Sequence, residues 1–133
     1  GKDIAKFASS GGHLAEEKKA LLKALEDVQA MIGHMVGVAM ASQEDPKEIY
    51  KVGLNTSRLL MATGDLIIAW LLLRQADIAQ NKLANAGRDT EFYNGKIASA
   101  KFFVRSVLPH ISIERAVVES ETGEIMNIAE AAF

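Results

Sequence analysis

"LLMATGDLIIAWLLLR", Leu59 to Arg74, is the least polar stretch of the chain, and its reading decides the fold. The uninterrupted apolar run is only Leu66 to Leu73, bounded by Asp65 and Arg74. Crossing the hydrocarbon of a bilayer takes about 20 apolar residues. Extending the run upstream to Leu59 brings in Thr63, Gly64 and the charge of Asp65, which is costly at mid-bilayer. The stretch is also too long for a buried strand, which usually runs about 4–8 residues. It lacks proline, and its Leu, Ala and Met favour helix. A helix apolar on all sides but too short to span is the most buried helix of a globular domain. The rival reading is a helix whose second face docks on another protein.

Composition fits a bundle around such a helix. The chain has 133 residues, 49% hydrophobic, 6% aromatic and 24% charged, with two prolines, enough for one domain with a modest core. Alanine is abundant and alternating strand patterns are absent, so the expected class is all-α. A net charge of −2 gives no basic footprint for nucleic acid or anionic lipid. The absence of cysteine excludes disulfides and thiol catalysis, and suits a reducing cytoplasm. "GKDIAKFASSGG" has no apolar signal core, and residues 1–12 read as a lead-in from an upstream domain or a tag, ahead of a single domain over 13–133.

Outward from the apolar stretch, the neighbouring helices are legible. A first helix is expected from His13 to Ser42, with Leu21, Leu25, Val28, Ile32, Met35 and Ala39 stepping by fours and threes as a packed seam. Glu16 and Glu17 suit the positive end of its dipole. In "QEDPKEIY", Asp45 fits an N-cap, Pro46 the first helical position and Glu48 the return partner of a capping box. The second helix then runs from Pro46 to about Ala86, with a bend expected near Gly53 and Asn55 and a cap at Gly87. A third starts after Asp89 or Thr90, carries Tyr93, Ile97, Ala100, Val104 and Val107 on one face, and is limited by Pro109. The tail reads as two short helical pieces hinged near Gly123, ending with Ile125, Ile128, Ala129 and Phe133. Short connectors imply an up-and-down bundle of three long helices closed by the C-terminal pieces.

Chemistry is sparse in this pattern. The residues three before His13, His34 and His110 are Ser10, Met31 and Val107, so the Glu-x-x-His pairs of a di-metal bundle are absent. His-Glu-x-x-His is absent as well. Gly33 and Gly37, with Gly64 and Gly95, read as places where helix backbones approach closely. Asp65 interrupts an apolar face, and a partly buried carboxylate needs a partner; the expectation is a tie to an Arg or Lys, or an outward edge position. Arg58 and Asn55 share that half-buried zone. Lys96, Lys101 and Arg105 form a basic edge on the third helix, read as a solvated face. Trp70 is expected to be buried. No catalytic, cofactor-binding or metal-ligating residue is assigned.

Two stretches carry a resemblance. "NTSRLLMATGDLIIAWLLLRQADIA" (Asn55 to Ala79) and "FYNGKIASAKFFVRSVLPH" (Phe92 to His110) resemble the extra C-terminal helical domain of a subgroup of acyl-CoA dehydrogenases. The resemblance rests on Leu59, Leu60, Gly64, Trp70 and Ala76, then on Phe92, Lys96, Ala98, Ala100, Phe102, Phe103, Leu108 and Pro109. Asp65 departs from it, standing where that family has a neutral residue. The resemblance implies an accessory domain that supports the catalytic body or subunit contacts. The FAD, the acyl-thioester pocket and the catalytic glutamate would all lie in upstream domains. Expected partners are those domains and a neighbouring subunit, with a homodimer for the chain by itself and neither nucleic acid nor a membrane span. The alternative is a stand-alone helical interaction module.

Overall fold

The computed structural model describes all residues 1–133, and its regular structure is all helix, without a strand. Helix α1 is Lys2–Ala8, α2 Ala15–Ala41, α3 Ile49–Lys82, α4 Thr90–Ser106 and α5 His110–Ser120. Short 3-10 turns flank α3 at Pro46–Glu48 and Leu83–Asn85, precede α4 at Gly87–Asp89, and end the chain at Glu124–Asn127 and Glu130–Ala132. The all-α bundle expected from the sequence is the fold found.

Local chemistry explains the breaks. Gly12 has φ +93° and Leu14 φ +64°, both left-handed. A bulky residue is rarely tolerated there; Leu14 is held because its side chain enters the core while its carbonyl accepts from the Lys18 amide at 2.8 Å. The turn after α2 is capped by Asp45, whose carboxylate accepts from the Lys47 amide at 3.1 Å with Pro46 at the first position. The reciprocal half of the capping box is not formed, because Glu48 instead accepts from Lys51 Nζ at 2.7 Å. Gly87 and Gly123 are left-handed, at φ +54° and +74°, and both sit where the sequence reading placed a stop or a hinge.

Helix α3 corrects two expectations. It runs unbroken for 34 residues, about 51 Å at 1.5 Å per residue, with no interruption at Gly53 or Asn55. Thr56 Oγ1 and Asn55 Nδ2 donate to carbonyls four residues back, at 2.8 and 3.0 Å, so polar side chains in this turn bond along the helix rather than across it. Nor is α3 buried all round. Asn55, Ala62, Leu66, Ala69, Leu73, Ala76 and Ala79 are buried, a stripe with steps of seven, three and four along one face. Leu60, Met61, Ile67, Ile68, Leu71 and Ile78 are exposed on the others. An 18-residue window of the helical run Pro46–Asn85 has mean hydropathy 1.4, so length and composition alone would let it cross a bilayer. The buried stripe packs instead against α2, α4 and α5.

The core joins that stripe to Leu21, Ala24, Leu25, Val28, Met31 and Met35 of α2, Ala100 and Val104 of α4, and Ile111 and Val118 of α5. Ile4 of α1 belongs to the same core. On α2, Ile32 is exposed rather than part of the seam, because Met31 takes the inward position in that turn. Among the C-terminal pieces α5 closes the bundle, whereas Ile125, Ile128 and Phe133 remain exposed. Four of the seven buried positions on α3 are alanine, so neighbouring helices can pack close to its axis.

Candidate functional site

Three polar clusters fix the helices to one another. The most buried centres on Asp27 of α2, whose side chain is 1% exposed. Ser112 Oγ donates to its Oδ2 at 2.6 Å, and Arg115 donates to Oδ1 at 3.0 Å. Lys23 Nζ, one turn earlier on α2, also donates to Oδ1. Arg115 is held from its other side by Glu119, at 2.8 Å. Burial by itself would raise the Asp27 carboxyl, but hydrogen bonds from Lys23, Ser112 and Arg115, with the Lys23 charge, hold it below the usual carboxylate range. Glu119 and then Asp27 keep the Arg115 guanidinium firmly protonated. This cluster ties α5 to α2. Sequence reading missed it, since Asp27 lies in an ordinary charged helix; its position one residue before Val28 in the seam was the available signal.

The second cluster is Lys18, a buried ammonium that donates to Ser10 Oγ at 3.1 Å, the Gly11 carbonyl at 3.2 Å and Asp77 of α3 at 3.2 Å. It also lies 4.9 Å from the centroid of the Phe7 ring. One side chain thereby joins α1, the glycine turn, α2 and α3. The third is the more exposed pair Arg58–Glu114, 2.8 Å apart, which links α3 to α5.

That pair borders a groove of about 380 Å³, also lined by Asp65 and His110. The structure therefore brings together three residues singled out from the sequence, Arg58, Asp65 and His110. Asp65 is only half-buried and takes part in no ion pair. His13 is exposed and His34 half-buried, each away from this groove. Asn55, in contrast, is buried, and its Oδ1 accepts no hydrogen bond. Trp70 is half-buried rather than buried: Arg74 stacks 5.2 Å from its ring centroid and its Nε1 donates to nothing. On α4 the basic edge is split. Arg105 approaches Glu17 at 4.0 Å, while Lys96 lies 5.4 Å from the Phe92 ring centroid.

The glycines overturn another expectation. A Cβ built on Gly33, Gly37, Gly64 or Gly95 would meet nothing within 4 Å, so no helix of this chain approaches any of them. Gly64 shares its helix face with Leu60, Ile67, Leu71 and Ile78, and Leu60 is 70% exposed. Gly33 and Gly37 alternate with exposed Ile32, Val36 and Met40 on α2. The exposed face of α3 is thus an unpartnered apolar seam with a notch at Gly64. Contiguous apolar surface of this kind marks contact with another body.

Comparison with known proteins agrees with this picture. Residues 1–129 match the family described as "Acetyl-CoA dehydrogenase C-terminal like". The chain is 45% identical, over 98% of its length, to a broad-specificity linear acyl-CoA dehydrogenase of Mycobacterium tuberculosis, of which it covers 22%. It is 38% identical over 62% of its length to a butyryl-CoA dehydrogenase of Syntrophomonas wolfei, covering 14% of that protein. It is 32% identical over 87% of its length to a 3-methylmercaptopropionyl-CoA dehydrogenase of Ruegeria pomeroyi, covering 18%. The chain thus spans about a fifth or less of the length of these relatives.

Proposed function

This chain belongs to the family of acyl-CoA dehydrogenase C-terminal domains, and from that premise we propose that it is the non-catalytic accessory domain of a cytoplasmic, FAD-dependent acyl-CoA dehydrogenase. Its role is to brace the catalytic body or a neighbouring subunit while the enzyme removes hydrogens across Cα–Cβ of an acyl-CoA. The observation that carries this reading is the unpartnered seam of α3, Leu60, Gly64, Ile67 and Leu71, on a domain whose buried charges Asp27 and Lys18 are spent on holding helices together. Acyl-CoA dehydrogenases in general use FAD, but the residues here do not fit that cofactor. The larger grooves reach at most about 440 Å³, small for a dinucleotide, and the glycine turn before α2 has its Gly11 carbonyl taken up by Lys18. Acyl-chain preference belongs to the rest of the enzyme. The packed stripe on the opposite face of α3 supports a helix within a bundle rather than a membrane span.

The test is direct. The purified chain should show no flavin absorbance and reduce no electron acceptor with any acyl-CoA. Mixed with the Mycobacterium tuberculosis relative shortened by its matched segment, it should co-elute on gel filtration and raise the melting temperature of the shortened enzyme. Stoichiometric flavin on the purified chain, or no association with the shortened enzyme, would overturn the reading.

A further inference from the structure

The remaining grooves differ in one respect, the balance of their charges. The Arg58 groove carries its own acids, Asp65 and Glu114. The Trp70 groove sets Asp3 against Lys6 and Arg74. The small cavity beside Lys23 and Ser112 adjoins Asp27. The acid in each case neutralises or faces the cation, as Asp27 does Lys23 and as Asp89 does beside Lys82 in the groove under Tyr93. The groove between the C-terminal half of α3 and the first turns of α4 has a cation without an acid in the lining and without an ion-pair partner. It is lined by Gln75, Ile78, Ala79, Phe92, Tyr93 and Lys96 and holds about 340 Å³. Lys96 enters none of the chain's ion pairs, and its ammonium lies over the Phe92 ring, which meets Tyr93 edge-on at 5.6 Å. Phe92 is 61% exposed, so a large aromatic face stands uncovered beside that cation.

We propose that this groove binds an amphiphilic carboxylate, an unbranched acid of medium chain length. The alkyl chain lies along Ile78, Ala79 and the Phe92 ring, and the carboxylate meets Lys96 and the Gln75 amide. Three features argue for an anion with an apolar body. The lining is mainly apolar, its polar groups are a cation or neutral, and its charge is uncompensated within the chain. A volume of about 340 Å³ sits at the lower end of the range for ligand sites, roughly 300–1,000 Å³, and suits a small ligand. The groove shares Ile78 with the exposed face of α3, while its other lining residues lie outside the Leu60 to Leu71 seam.

The experiment titrates the 15N-labelled 133-residue chain with hexanoate, octanoate and 1-octanol, following backbone amide shifts. Saturable shifts are expected at Ile78, Ala79, Phe92, Tyr93 and Lys96. Each buried methylene strengthens binding by up to about fourfold, so octanoate should bind roughly tenfold more tightly than hexanoate. Lys96→Gln should weaken octanoate at least fivefold and leave 1-octanol unchanged. Phe92→Ala should weaken both. Equal affinity for octanoate and 1-octanol, indifference to Lys96→Gln, or shifts centred on Leu60 to Leu71 would each overturn the assignment. Because both side chains are surface groups, unchanged amide spectra of the free variants would separate lost binding from lost fold.

Discussion

Asp27 shows how one residue can tie a helix in place. Its carboxylate is almost wholly removed from water and accepts from three donors, and removing one member of such a buried cluster leaves the others unpaired. Asp27→Asn is expected to destabilise the chain by about 3 kcal/mol, the low end for a buried pair, because Lys23 and Arg115 reach solvent. Chemical denaturation of the wild type and Asp27→Asn checks this. The pH dependence follows from the depressed carboxyl. A group whose folded pKa lies below its unfolded value contributes fully above the unfolded value, near 4, and loses that contribution as pH falls through the folded one. The gap between wild type and Asp27→Asn should therefore be constant from pH 7 to about 5 and shrink steadily below about 4. A gap that widens with acid would show that Asp27 is not held ionised. Apart from its place beside Val28 in the seam, nothing marked this residue beforehand: Asp65 drew attention because it breaks an apolar run, whereas Asp27 hides among other charges. A charge inside a polar stretch gives no contrast, and only the approach of α5 from 85 residues away makes it interior.

At the scale of the element, α3 separates what a hydrophobic pattern tells from what it cannot. Leucines 71 and 73 are two residues apart in one apolar run, yet only Leu73 is fully buried. Leu73→Ala should cost about 3 kcal/mol through lost burial and the cavity left behind; Leu71→Ala should stay within about 0.5 kcal/mol, as for a surface change. Urea unfolding of the two variants distinguishes them. Gly64→Ala, with open space around the added methyl, should stabilise the isolated chain by roughly 0.5–1 kcal/mol through helix propensity. A loss of stability there would restore the close approach of backbones that the sequence suggests. The three long helices, the stops at "SSGG" and "EDP" and most of the inward faces of α2 and α4, Ile32 apart, were readable, because periodicity and caps are local. The exposed side of α3 was not, since a run apolar all round carries no mark of which side its own chain covers. Half the answer to the opening stretch lies in neighbours that come from elsewhere in sequence.

For the whole molecule, the open seams predict association. A face carrying Leu60, Ile67, Leu71 and Ile78 without a partner in its own chain should pair with itself when nothing else is offered, most economically about a two-fold axis. Sedimentation of the isolated chain at micromolar concentration is expected to give a dimer. Leu60→Lys with Leu71→Lys should return a monomer of unchanged helicity. A wild-type monomer at millimolar concentration would show that the seam needs a different surface. The Asp27 cluster has one more consequence, in time rather than in energy. Helices α2 and α3 are joined by a short turn and can meet early, whereas the contact of Asp27 with Ser112 closes a segment of 85 residues, whose entropy cost grows with its length. Helix α5 should then dock after the rate-limiting step. Asp27→Asn would accelerate unfolding while leaving the refolding rate nearly unchanged. In native-state hydrogen exchange, the amides of His110 to Ser120 would open together, ahead of those in the α2–α3 pair.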